Sequence, residues 1–259
     1  MSSSPPLPEG DRIILKSSQE IEKMRRSNQI VAEVLEEMKA AAQPGVTTGE
    51  LGELAEALLA KRKARSAFKG YNGFPAALCT SVNEEVVHGI PSDRVLKEGD
   101  ILSLDFGVIF DDFYGDAAIT LPIGRISPEA ERLLRVTEEA LYLAIEEARP
   151  ENRLQNISAA IQKHVEERGF SVVREFVGHG IGKHLHEKPQ IPNFGISGRG
   201  VRLKPGMTLA IEPMINAGSY EVMLLQDGWT AVTKDRSLSA HFEHSVAVTE
   251  NGPDILSKL

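Results

Sequence analysis

Cysteine is almost missing from this chain. Cys79 stands alone, so no intrachain disulfide can form, and a reducing, cytoplasmic setting is expected. No apolar run approaches the ~18 residues of a bilayer span, which excludes a membrane protein from the expectations. The opening MSSSPPLPEG has neither the basic nor the apolar region of a signal peptide, and its Ser and Pro predict a flexible tail over residues 1–12. Positive charge is not in excess: the formal charge of −8 excludes a general nucleic-acid binder and leaves no DNA partner expected. A P-loop, a dinucleotide fingerprint and a G-x-S-x-G elbow are all absent, so nucleotide and serine-hydrolase chemistries are not indicated.

What remains is a chain of 259 residues, 41% hydrophobic, enough to bury a sizeable core as one domain over residues 13–259. A first helix is predicted from an N-cap near Ser18, with Ile21, Met24, Val31, Val34, Leu35 and Met38 as its apolar stripe and Pro44-Gly45 as its stop. Thr47 or Thr48 caps a second, running to about residue 65, whose basic end at 61–65 reads as a solvated turn complementing the helix dipole. Ser127, with Pro128 at the first helical position, opens a third helix to about 148, and a fourth follows over 154–168.

The most informative stretch is 95–120. It predicts a β-hairpin, strands 101–110 and 113–120 joined at Asp111-Asp112. A two-residue turn sets Asp105 opposite Ala118 and Asp116 opposite Gly107, so the two acids are diagonal neighbours on one face. Their Cβ atoms would lie about 7–8 Å apart or somewhat less. That spacing suits two cations about 3.5–4 Å apart, with Gly107 leaving room for them. An edge hairpin turning both acids to solvent is the alternative, because buried acids are costly unless neutralised.

A second, weaker copy follows. LKEGDILSLD at 96–105 resembles LKPGMTLAIE at 203–212, VVHGI at 86–90 resembles VGHGI at 177–181, and GDAAIT resembles FEHSVAVT. In order, His88, Asp105 and Asp116 correspond to His179, Glu212 and Glu243. The expected fold is therefore α+β, with two related halves at about 13–124 and 125–259 and a site between them.

Other candidates are sparser. Tyr71 and Phe74 lie on a loop at 69–75, and Cys79 reads as a packing group in an apolar strand. The glycines of FVGHGIGKHLHE at 176–187 predict a loop presenting His179, then His184 and His186. Trp229 follows a turn, as core filler or pocket wall. Alternation places His241 on the face of Glu243, at most behind it, and sends His244 to the other face. Several carboxylates with one histidine suit Mn, Fe, Co or Zn, and point to metal-assisted hydrolysis.

HGIP, LDFG, YGDAA, GHGIGKHLHE, IEP and HFEHS together resemble the bacterial type I methionine aminopeptidases, over about residues 15–250. The resemblance implies a pita-bread fold with an antiparallel sheet, helices on its outer face and two divalent metal ions. Asp105, Asp116, His179, Glu212 and Glu243 would be metal ligands, with Asp116 and Glu243 bridging. Glu212 would also shuttle the proton of the attacking water. His186 would stabilise the carbonyl oxygen, and His88 would contact the scissile amide. Tyr71, Phe74, Cys79, Leu185 and Trp229 would take the methionine side chain. Phe68, Phe74 and Leu185 depart from the residues common in that family, which affects pocket shape and not the reaction. Implied partners are peptides and nascent chains beginning with methionine, met by a monomer; residues 61–65 alone hint at ribosome docking. An Xaa-Pro peptidase would share all five ligands, and a non-catalytic binding protein of the same fold would be expected to have lost some.

Overall fold

A computed structural model describes residues 12–259; the expected tail, up to residue 11, lies outside the described residues. The first half runs α1 (Ser18–Ala41), α2 (Thr48–Lys61), β1 (Arg65–Ser66), β2 (Cys79–Val82), β3 (Glu85–Val87), β4 (Ile101–Phe110) and β5 (Phe113–Pro122). The second half repeats helix–helix–strands with α3 (Pro128–Glu146), α4 (Leu154–Glu166), β6 (Ser171–Val172), β7 (Gly178–Gly180), β8 (Glu187–Ile191) and β9 (Thr208–Ile211). It continues with β10 (Met214–Asn216), β11 (Val222–Leu224), β12 (Ala231–Thr233), β13 (Ser239–His241), β14 (Glu243–Thr249) and β15 (Gly252–Ile255).

Helix ends follow local chemistry. The first cap is Ser17, one residue ahead of the expected Ser18, and it exchanges side-chain and backbone bonds with Glu20; Thr47 and Glu50 do the same for α2. α2 stops at Lys61, short of the expected 65, because Lys63 turns left-handed at φ 54° and Arg65–Ser66 join β4 as a strand. The basic end is not simply solvated. Arg62 pairs with Glu33 and Glu37 of α1, at 3.0 and 2.5 Å, and so fastens the two helices together.

The main sheet is antiparallel, in the order β1-β4-β5-β14-β9-β7-β8, with β2 beside β4 and β15 beside β14. Val31, Leu35 and Met38 of α1 and Leu51 and Leu58 of α2 pack on Leu102, Leu104 and Phe106. Leu133 and Leu141 of α3 and Ile157 and Ile161 of α4 pack on Leu209, Ile211 and Val246. Each helix pair thus covers its own half of one sheet, the α+β arrangement expected. The central hairpin has the anticipated register, Asp105 opposite Ala118 and Gly107 opposite Asp116, with φ of 50° and 62° at Asp111 and Asp112 as a tight hairpin turn demands.

The duplication is looser than the repeated strings imply. β7, which carries His179, holds beside β9 the place that β2 holds beside β4. His88 follows β3 outside that sheet, at φ 62°, so the two histidines are not symmetry mates. Their shared His-Gly has a common local cause: a Cβ at Gly89 would meet the Thr80 carbonyl at 2.2 Å, and one at Gly180 the Lys188 carbonyl at 2.2 Å. Registers also differ. Ile211 pairs with His244, which brings Glu212 level with Glu243, whereas Asp105 and Asp116 stand diagonally.

Candidate active site

β5 and β14 pair where the halves meet, and a cavity of about 80 Å³ opens there. Asp105, Asp116, His179, Glu212 and Glu243 line it, with His88, His186, Tyr71, Phe74, Cys79, Leu185 and Trp229. All the site residues expected from sequence are thus brought together, and Phe68 joins them. His184 is not among the lining residues and is exposed.

Two expectations need correction. Gly107 does not leave space for ions: a Cβ there would lie 2.6 Å from the Phe68 ring and 2.8 Å from Ala67, so the glycine admits Phe68 instead. The segment at 176–187 is not all loop. Gly178–Gly180 is a central strand, and its glycines let neighbouring backbone approach, with Ala210 O 2.5 Å from a Cβ at Gly178. His241 places its Nε2 3.5 Å from Glu212 Oε2.

The acids are held mainly through their backbones. The Asp116 amide donates to Asn28 Oδ1 of α1 at 3.2 Å, and the Ser245 hydroxyl donates to the Asp116 carbonyl at 2.8 Å. Gly115 permits this approach of α1, since a Cβ there would sit 2.7 Å from the Asn28 nitrogen. Asn193 donates to the Glu212 carbonyl at 3.2 Å. His179 Nδ1 lies 2.9 Å from the Gly180 carbonyl, an acceptor only, so that nitrogen carries the proton and Nε2 offers its lone pair to the site. The segment bearing Leu185 and His186 is tied down by Glu187, which takes the Lys16 ammonium at 2.5 Å and the His184 amide at 3.1 Å.

Electrostatics mark the cluster as unbalanced. Burial pushes the Asp105 carboxyl up to about 7, and burial together with neighbouring acids raises Asp116 and Glu243 well above the carboxylate range. Burial alone raises Glu212. The imidazoles are held neutral: burial lowers His179 to about 3 and His88 to about 4, and also lowers His186 and His241. Burial raises the Cys79 thiol well above its usual range, which makes it a wall and not a nucleophile.

The same groups fit a divalent cation. Asp105 Oδ1, Asp116 Oδ1, Glu243 Oε1 and His241 Nε2 are buried without hydrogen-bond partners. Ligand atoms of Asp116, His179 and Glu243, and those of Glu212, His241 and Glu243, lie within 4.8 Å of one another. Oxygen donors with imidazole suit borderline divalent ions. At the mouth, Tyr71 hydrogen-bonds His186 Nδ1 at 2.7 Å, and the His186 ring stands 4.4 Å from that of His179. Phe74 and Trp229 meet edge to face at 5.2 Å, forming an apolar wall. A larger cavity of about 570 Å³ lies between α1 and α3, but its imidazole, His244, is already paired with Ser257 and Tyr142.

The chain is similar to known proteins. The model of metallopeptidase family M24 matches residues 22–250. Methionine aminopeptidase 1 of Bacillus subtilis is 54% identical over 247 residues, covering 95% of this chain and all of that protein (100%). A crystal structure of methionine aminopeptidase from Thermotoga maritima superposes with a TM-score of 0.94 at 48% identity, covering 96% of this chain and 100% of that one. Prolidase from Pyrococcus horikoshii, at 20% identity and a TM-score of 0.78 over 96% of this chain and 65% of its own, shares the fold alone. The chain belongs to metallopeptidase family M24, in its methionine aminopeptidase branch.

Proposed function

We propose that the chain removes N-terminal methionine from peptides and nascent proteins by metal-dependent hydrolysis. The observation that carries this reading is the set of buried, partnerless carboxylate oxygens of Asp105, Asp116 and Glu243 lining a narrow recess. Asp105, Asp116, His179, Glu212 and Glu243 would hold two divalent ions drawn from Co, Mn, Fe or Zn. Bound there, the ions would polarise the scissile carbonyl and acidify the attacking water.

The protein's own groups do the rest. Glu212, whose burial raises its proton affinity, takes the proton of the attacking water and passes it to the leaving amine. With the Tyr71 hydroxyl donating to Nδ1, His186 carries its proton on Nε2 and donates to the carbonyl oxygen as it becomes tetrahedral. His88, on its left-handed backbone and edge-on to Phe176 and Trp229, contacts the scissile amide. Asp105 faces the free amine. Tyr71, Phe74, Cys79, Leu185 and Trp229 enclose the first side chain; thioether–aromatic contact supplies only ~0.3–1.5 kcal/mol, so the width of the recess selects. The unpaired Cys79 supports a cytoplasmic setting, where a monomer would meet chains emerging from the ribosome.

Release of methionine from Met-Ala-Ser by chelated protein, before and after adding Mn, Co, Fe or Zn, tests the reading. Restored cleavage of this peptide, and none of one beginning Ala-Pro, is expected; the opposite preference would make it an Xaa-Pro peptidase. Glu212→Gln should lower kcat by about 10²–10⁴-fold.

A further inference from the structure

Glu212 sits between two imidazoles. His179 Nε2 is 3.5 Å from its Oε1, and His241 Nε2 is 3.5 Å from its Oε2. Neither is a hydrogen bond: His179 Nε2 has no proton to give, and His241 Nε2 is buried without a partner. His241 Nε2 is thus buried and turned toward the acids with no partner to satisfy it. The ligand atoms of Glu212, His241 and Glu243 already lie within 4.8 Å of one another, as do those of Asp116, His179 and Glu243.

The backbone of His241 is fixed for such a task. The Thr120 hydroxyl accepts from the His241 amide at 2.9 Å and donates to its carbonyl at 2.7 Å. β13 runs beside β10, with His241 opposite Met214, and only 2% of the residue is exposed. We infer that His241 is a sixth donor of the metal centre, its Nε2 available beside Glu212 and Glu243. The centre would then offer two nitrogen donors, His179 and His241, beside its acids. A second nitrogen favours Co or Zn over Mn, because imidazole adds more to their binding. The inference rests on the proposed metal-dependent site.

Chelator-stripped protein loaded with Co(II) tests it by proton NMR in water, where imidazole N–H signals on cobalt-bound histidines are shifted far from the rest. Two such signals are expected in the unaltered chain and one in His241→Gln. In calorimetric titrations the same variant should bind Co at least about tenfold more weakly at one step, and Mn with a smaller loss. One shifted signal in the unaltered chain, or an unchanged Co isotherm in the variant, overturns the inference. The signal count in the unaltered chain decides even if the variant folds poorly. No shifted signal and no Co binding in the unaltered chain would instead remove the metal reading itself.

Discussion

Phe68 reaches the cavity only because position 107 lacks a side chain: the nearest ring atom lies 2.6 Å from where a Cβ would be. Gly107→Ala should therefore push Phe68 into the recess. The expected cost is about 1–3 kcal/mol of stability, with KM for Met-Ala-Ser raised more than kcat is lowered. Denaturant unfolding and steady-state kinetics measure both, and unchanged values would show that Phe68 relaxes freely. Among the four acids and one histidine proposed as ligands, Asp105 and Asp116 were legible because a buried acid in an apolar strand is costly, and His179, Glu212 and Glu243 because the repeated strings and the family resemblance pointed to them. Their supporting groups were not legible. Asn28, Asn193 and Thr120 look like ordinary polar residues until folding sets them against Asp116, Glu212 and His241.

Among the elements, the segment carrying Leu185 and His186 depends on an ion pair from far away in the chain. Lys16 and Glu187 are 4% and 5% exposed in their side chains, and the Lys16 ammonium also donates to the Ile14 carbonyl. Lys16→Met leaves Glu187 buried without its cation, and about 3–5 kcal/mol of stability should be lost. Activity should fall at temperatures where the fold survives, since His186 loses its anchor; a melting curve and kcat of the variant check this. Such a long-range pair has no local signature. Helices, by contrast, were legible: stripes and caps placed all four, with errors of a few residues where a cap shifted to Ser17 or Arg65 joined β4. The segment at 176–187 was misread because glycine serves both turns and close strand packing, and only the neighbouring Ala210 and Lys188 carbonyls distinguish the two.

At the scale of the whole molecule, two halves bring mutually repelling acids to their seam. Without a cation these groups oppose folding at neutral pH. The Asp105 carboxyl rises from its ordinary 3.8 to about 7, and Asp116, Glu212 and Glu243 also rise. The folded state therefore holds more protons than the unfolded one between these values. Its contribution to stability from these acids is greatest below about 3.8 and declines as pH rises toward about 7. A bound divalent ion reverses the sign, so the rise in melting temperature on adding Co or Mn should grow with pH across that window. The duplication was legible in the repeated strings, but the offset in register and the unequal placement of His88 and His179 were not, because short identities report local packing as readily as symmetry. The most direct measurement is calorimetric titration of chelator-stripped protein with Co or Mn, in buffers of differing ionisation heat, on either side of pH about 7. Saturable binding that releases protons, and weakens as pH falls below that value, is predicted; no binding at neutral pH, or binding without proton release, would contradict a site built to be neutralised by cations.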